Sequence, residues 1–338
     1  MNSALLHPVV LLLPIAVIVA FWLIAAVERR LRGTVQPGFF RRNGAAVGTY
    51  LIVAVGIWML LLILLPQVSM LELSFRPKLP PVQMGGPRDM YTLANYRYFL
   101  FGSPDDASHW NVLHLRAFFL TITVSILVTG FDFLLCYPLA FHMAQTARPG
   151  RVRLLLLALI APYWVNEVLR AFALRILFAG SGLLNTALLG LGAIAQPVDF
   201  LGLNIGLYVG LSYAYLLLMI FPLYSAIESL PHEQIEAARD LGAPWWRIHR
   251  DIVVPFAKPG IASGCTLVFM LSAGALATPL ILSGPRSLWF TPVVYDRFYQ
   301  AFNWPQGAAY AFILLLTCVA FVLMVLRLSR LSLGEMTR

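Results

Sequence analysis

The chain has 338 residues, 60% of them hydrophobic and only 12% charged, with a mean hydropathy of +0.79. That composition excludes an ordinary soluble globular domain. The net charge of +9 does not mark a nucleic-acid partner, because the basic residues alternate with apolar runs and do not gather in one patch.

A bilayer core of about 30 Å requires about 20 apolar residues per helix. Seven runs meet this: 9–27, 46–66, 117–141, 154–178, 204–228, 261–283 and 308–328. They are too long and too continuous for the alternating strands of a transmembrane barrel. The fold class expected is therefore all-α, a polytopic helical membrane protein with about seven transmembrane helices. Fifteen of the 24 basic residues fall in four segments on one side of the spans: Arg29–Arg42, Arg148–Arg153, Arg239–Lys258 and Arg327–Arg338. By the positive-inside rule this places the N-terminus outside and the C-terminus in the cytoplasm.

In chain order, residues 1–27 read as an anchor, not as a cleaved signal. Met1 to His7 carry no Lys or Arg, and Glu28-Arg29-Arg30 follow the apolar run. Residues 28–45 form a basic cytoplasmic linker, so 1–45 is one unit. The next unit, 46–116, holds the second span and the longest non-membrane segment, with Pro77, Pro80, Pro81 and Pro87 making its first half irregular and 91–100 a short interfacial helix. From 117 to 330 the spans follow one another closely, with Pro138 and Pro162 bending the first two, and 331–338 is a cytoplasmic tail.

Charges inside spans are costly and seldom face lipid. Asp132 and Glu167 lie at comparable distances from the basic turn Arg148–Arg153, so continuous helices place both about 20–24 Å above it. Two readings stand. Asp132, Asn166, Glu167, Arg170 and Tyr213 line a path for a cationic solute, or Glu167 and Arg170 neutralise each other as i,i+3 neighbours and Asp132 serves packing. Tyr215 and Tyr224 share the span of Tyr213 and read as packing or interfacial residues. Ser263, Gly264, Ser272, Ala273 and Gly274 permit close helix approach, to a partner membrane subunit or along a pore. Cys136, Cys265 and Cys318 lie in apolar runs without metal-ligand spacing and read as buried thiols.

The segment 230–260 is a polar island between two spans. Pro231 opens a helix, Ile235, Ala238 and Leu241 form an apolar face with no partner of its own, and Gly242 ends the helix. Pro244 opens a second helix that Pro255 and Pro259 close. His232 and His249 have no metal spacing and read as solvent-facing. No GxxxxGK[ST] occurs, and neither Lys78 nor Lys258 follows a glycine, so no phosphate loop is present. No HExxH or GxSxG occurs either, so none of the common hydrolase signatures is present.

Glu236, Ala237, Ala238, Gly242, Ile252 and Pro255 stand at the spacing of the coupling-loop signature of ABC importer membrane subunits, with Val254 where that family has Leu. The chain resembles a type I ABC importer permease with one additional N-terminal helix. Pro162-Tyr163-Trp164-Val165-Asn166-Glu167 with Arg170, Gly182-Leu183-Leu184-Asn185, Ser283-Gly284-Pro285 and Asn303-Trp304-Pro305 are similar to the spermidine/putrescine branch. The resemblance implies a bacterial inner-membrane location and a role for Glu236–Gly242, including Leu241, in transmitting force from a dimeric ATPase subunit. It implies further a second permease, usually in a heterodimer, and a periplasmic solute-binding protein. No cofactor is expected on this chain; ATP and Mg are expected on the ATPase. An opine, an amino-acid-like compound or another small organic solute is an alternative to a polyamine. A stand-alone carrier or cation channel, with Asp132 and Glu167 as relays, is the alternative class.

Overall fold

The computed structural model describes residues 45–329 apart from 81, 82, 84, 104–108, 285 and 286. The first apolar run, the basic linker and the C-terminal tail lie outside the described residues. Every regular element among the described residues is helical. Six stretches are long and apolar enough to cross a membrane, five of them single helices and the sixth, Glu167–Gly190, made of two short ones.

The first, α1 (45–74), belongs to a separate unit that ends at Arg76. It is one continuous helix with a π turn, Met59–Leu64, directly before Pro66. A π turn widens the helix where the proline ring and its missing N–H would otherwise break it. None of its residues from Leu51 to Leu73 is buried within the chain, as a span facing lipid or a partner helix requires.

The second unit begins at Pro77. Its helices are α2 (Ala94–Phe101), α3 (Val112–Thr146), α4 (Pro149–Ile160), α5 (Glu167–Phe178), α6 (Leu183–Gly190), α7 (Ile205–Glu228), α8 (His232–Asp240), α9 (Trp245–Gly274), α10 (Ala277–Leu282), α11 (Phe290–Tyr299) and α12 (Trp304–Ser329). The centre is α7, which packs against both α3 and α9, while α9 also packs against α12. Leu207, Leu211, Met219, Ile220, Leu223 and Ile227 of α7 are fully buried. Close approach of α9 to α7 depends on Gly260 and Gly264, four residues apart on one face. A Cβ on Gly260 would lie 2.4 Å from the Pro222 carbonyl oxygen. Gly264, Ser272 and Ala273 are buried inside the chain, so these small residues serve internal packing. A second core joins α2, α3, α11 and α12 through Phe99, Phe290 and Tyr310, with Phe99 edge-on to Phe290 and Tyr310 at 5.7 and 5.4 Å.

Two expected spans are broken. The run 154–178 divides into α4, a 3-10 turn Ala161–Trp164, and α5. Pro162 falls in the turn, and Asn166 starts the new helix by accepting a hydrogen bond from Val168 N–H at 2.8 Å. The run 261–283 ends at Gly274 and resumes as α10. The second helix of the polar island also differs from expectation. Pro255 and Pro259 do not close it, because α9 passes through both. The π turn His249–Val253 precedes Pro255 as Met59–Leu64 precedes Pro66.

Candidate functional site: the α8–α9 loop and the α5–α7–α10 cleft

Helix α8 ends in a Schellman motif. Ala243 N–H bonds the Ala238 carbonyl at 3.0 Å, Gly242 N–H bonds the Arg239 carbonyl at 2.8 Å, and Gly242 has φ +74°. The helix face expected to lack a partner has one. Ile235 is fully buried, and Ala238, Ala243 and Ile252 pack with it against Ile227, Leu230 and Ile248. Of the expected face, Ile235 and Ala238 are covered by the ends of α7 and α9, while Leu241 falls outside it. What the loop presents to solvent instead is Leu241 at 88% exposure, Trp245 at 69% and Trp246 at 52%, with Glu236, Ala237, Arg239, Arg247 and Arg250 exposed around them. Arg247 and Arg250 lie 5.7 and 5.9 Å from the Trp246 ring. Pro255 is exposed just after the π turn His249–Val253 of α9.

His249 is not solvent-facing. It is buried, with its ring 4.4 Å from Phe141 and 4.3 Å from Trp245, and Nδ1 is 2.7 Å from the Tyr137 hydroxyl. The root of α9 is thereby fastened to α3. His232 remains exposed and contacts Gln145 and Glu236; the same Gln145 amide donates to the Ile227 carbonyl at the end of α7.

The second group of candidates divides. Glu167, Arg170 and Tyr213 meet in a cleft between α5, α7 and α10, with Thr278 and Leu282 opposite. Glu167 Oε1 accepts from the Thr278 hydroxyl at 3.2 Å. Arg170 does not bridge to Glu167. Its guanidinium lies 4.3 Å from the Tyr163 ring centre and 5.4 Å from that of Tyr213, which stabilises the cation through the ring faces. The Tyr163 hydroxyl donates to the Tyr213 carbonyl, and Arg175 to the Ile281 carbonyl. Tyr224 donates to Glu228 at 2.8 Å, away from this cleft. The cleft encloses only about 10 Å³, room for one water at most. Asn166 is exposed and acts as a helix cap.

Asp132 does not share that cleft. It is fully buried between α3 and α7, where Oδ1 accepts from the Ser212 hydroxyl and Oδ2 has no partner. Equal depth for Asp132 and Glu167 requires 154–178 to be one helix, and the chain breaks at Val165-Asn166. Asp132→Asn is expected to keep the Ser212 bond, retain transport, and match the parent chain in thermal stability. Asp132→Ala should cost about 1–3 kcal/mol by leaving the buried Ser212 hydroxyl without its acceptor. Loss of transport by the Asn variant at unchanged stability would return Asp132 to the solute path.

These features define a helical membrane transport subunit with a structured loop between its two central spans. A family model described as "Binding-protein-dependent transport system inner membrane component" matches residues 137–330. The spermidine/putrescine transport system permease protein PotB of Salmonella typhimurium (strain SL1344) is 33% identical over 294 residues, covering 86% of this chain and 96% of that protein. PotB of Escherichia coli (strain K12) is 34% identical over 285 residues, covering 83% and 97%. Among solved structures, a bacterial ABC transporter involved in import of the acidic polysaccharide alginate superposes with a TM-score of 0.65 at 18% identity, over 86% of this chain and 96% of that one. The chain belongs to the binding-protein-dependent transport system inner membrane component family, the ABC importer permeases. It is a multi-pass inner-membrane transport subunit, and ATP hydrolysis lies in a partner subunit.

Proposed function

We propose that this chain forms one side of the translocation path for a polyamine-like organic cation and takes its driving force through the α8–α9 loop from a separate ATPase that holds ATP and Mg²⁺. The observation that carries the solute reading is the Glu167 cleft: a carboxylate beside the Thr278 hydroxyl, with the rings of Tyr163 and Tyr213 already holding one cation, the Arg170 guanidinium. A carboxylate and aromatic faces both attract ammonium groups. The named function of the PotB relatives supports the same solute class. At about 10 Å³ the cleft has no room for a solute, so this conformation is closed at that level and transport requires α5 and α10 to part from α7. The basic segments support a cytoplasmic loop and C-terminus, which leaves the N-terminus outside. The partners are then an ATPase dimer on the cytoplasmic side, a second permease, and a periplasmic binding protein.

The test uses the full complex in proteoliposomes, with spermidine-stimulated ATP hydrolysis as the readout. Glu167→Gln should raise the half-saturating spermidine concentration about tenfold, the loss of one charge-assisted contact. An unmodified complex that ignores spermidine and putrescine would remove the solute reading. An unchanged response in the Gln variant would remove Glu167 from the path.

A further inference from the structure

A second cleft, of about 470 Å³, lies between the segment Pro77-Lys78, helix α2, the end of α11 and the start of α12. It is lined by Lys78, Asn95, Tyr98, Arg297, Asn303 and Gln306. The Glu167 cleft holds one carboxylate and one guanidinium, whereas this one holds two cations and no carboxylate. Arg297 Nη2 donates to His114 Nε2 at 3.1 Å. An imidazole nitrogen that accepts carries no proton, so His114 is not an imidazolium; its Nδ1 lies 2.8 Å from the Tyr310 hydroxyl and 2.6 Å from the Asn111 amide nitrogen. The histidine therefore orients the guanidinium without compensating its charge. Arg297 Nε is buried and has no hydrogen-bond partner. Lys78 Nζ donates to the Ala301 carbonyl at 2.8 Å, also a neutral group. Among the described residues no carboxylate pairs with either cation, and the remaining polar lining is amide and hydroxyl.

A half-buried guanidinium held by a neutral ring and left without an anion is costly unless something supplies one. The level of the cleft identifies the supplier. His114 lies in the first turn of α3 and Gln306 in the first turn of α12, both membrane-spanning helices. Trp110, Trp304, Phe302 and Tyr299 are exposed at the same ends, at 59–73%. Exposed aromatic side chains at the ends of spans mark the headgroup level of the bilayer. An acidic side chain of a water-borne protein would have to descend to that level, whereas a phospholipid phosphate is already there.

We propose that the Lys78–Arg297 cleft binds the phosphate of an anionic phospholipid headgroup. Arg297 donates from Nε and a free Nη, Lys78 supplies the second charge, and the buried amides of Asn95 and Gln306 face the glycerol moiety. The site is independent of the solute reading, because it shares no residue with the Glu167 cleft.

The full chain, purified in a zwitterionic detergent, would be titrated with short-chain phosphatidylglycerol, with short-chain phosphatidylcholine and with inorganic phosphate, following the fluorescence of the tryptophans at the rim. Saturable phosphatidylglycerol binding is expected, with phosphatidylcholine and free phosphate each at least tenfold weaker. Arg297→Gln should weaken phosphatidylglycerol binding about tenfold or more, as for a lost charge-assisted pair. Because Arg297 also holds His114, Lys78→Gln serves as the second variant. It changes one exposed side chain and should weaken binding severalfold with the lipid-free thermal unfolding curve unchanged. The proposal is overturned if phosphatidylglycerol binds no better than phosphatidylcholine, if Lys78→Gln and Arg297→Gln both bind it as the parent does, or if inorganic phosphate or an acidic peptide competes at equal affinity.

Discussion

Gly242→Asp is expected to reach the membrane at the parent level, to unfold at nearly the parent temperature, and to lose at least nine-tenths of ATP-driven uptake. The local cost is small for two reasons. A Cβ at Gly242 meets no atom within 4 Å. Asp also tolerates the left-handed region better than most residues, so φ +74° costs about 1 kcal/mol. The functional cost is large because of where the side chain lands. Gly242 follows Leu241 and precedes Trp245 and Trp246, the apolar surface that the loop leaves uncovered. An apolar patch desolvated by a partner does not accept a new carboxylate without loss of binding. Gly242→Asn separates charge from backbone, since Asn shares the shape and favours the same φ. It should retain most uptake. Uptake and solute-stimulated ATP hydrolysis measured on all three complexes decide the matter. Full activity in the Asp variant would mean that the exposed face of the α8–α9 loop is not where force enters.

The sequence spacing located this loop well because its geometry is local. A glycine at a Schellman position and a proline after it act within a few residues, and their effect is readable from the chain alone. Ile235 and Ala238 repeat at helical spacing for the same reason, but spacing does not tell which neighbour covers them. The ends of α7 and α9 do, and only the fold brings those together. His249 failed for that reason too: a polar residue in a polar island reads as exposed until Phe141 and Trp245 are found on either side of its ring. Pro255 does not end the helix because the π turn before it lets the helix run through, and Pro259 is carried inside the regular helix that follows. In the spans, Glu167, Arg170 and Tyr213 were grouped from charge and composition, and the structure brings them to one cleft. Asp132 was grouped on an assumed straight helix, and Pro162 and the Asn166 cap break that helix. The cationic cleft gave no local signal at all, since Lys78, His114 and Arg297 are far apart in the chain and each is unremarkable alone.

Gly260→Val should lower the unfolding temperature by about 10 °C and deplete the protein from the membrane. The glycine sits where α9 crosses α7, and an added Cβ would meet the Pro222 carbonyl oxygen at 2.4 Å and the Ala226 Cβ at 2.5 Å. Neither is the end of a flexible side chain, so no rotamer change relieves the contact and the helices themselves must separate. Overpacking of this kind costs about 3 kcal/mol, and at about 3 °C per kcal/mol for a chain of this size the shift follows. Gly264→Ala is the graded comparison. Its Cβ would meet Met219 Sδ at 2.8 Å, which can swing aside, but also the Met219 carbonyl oxygen at 3.2 Å, so a loss of about 1 kcal/mol is expected. Gly274→Ala is the control, because its Cβ meets nothing within 4 Å at the exposed end of α9. The predicted order of stability is therefore parent and Gly274→Ala together, then Gly264→Ala, then Gly260→Val. Thermal unfolding in detergent reads that order directly. If Gly260→Val matched the parent, the close crossing of α7 and α9 would not be the packing on which the bundle depends. The proline before it bears on the same contact: Pro222 leaves α7 without one N–H in its interior, and its own carbonyl is the atom that Gly260 admits. Small residue and proline thus face each other at the crossing, and enlarging either is expected to open the two central spans along their length.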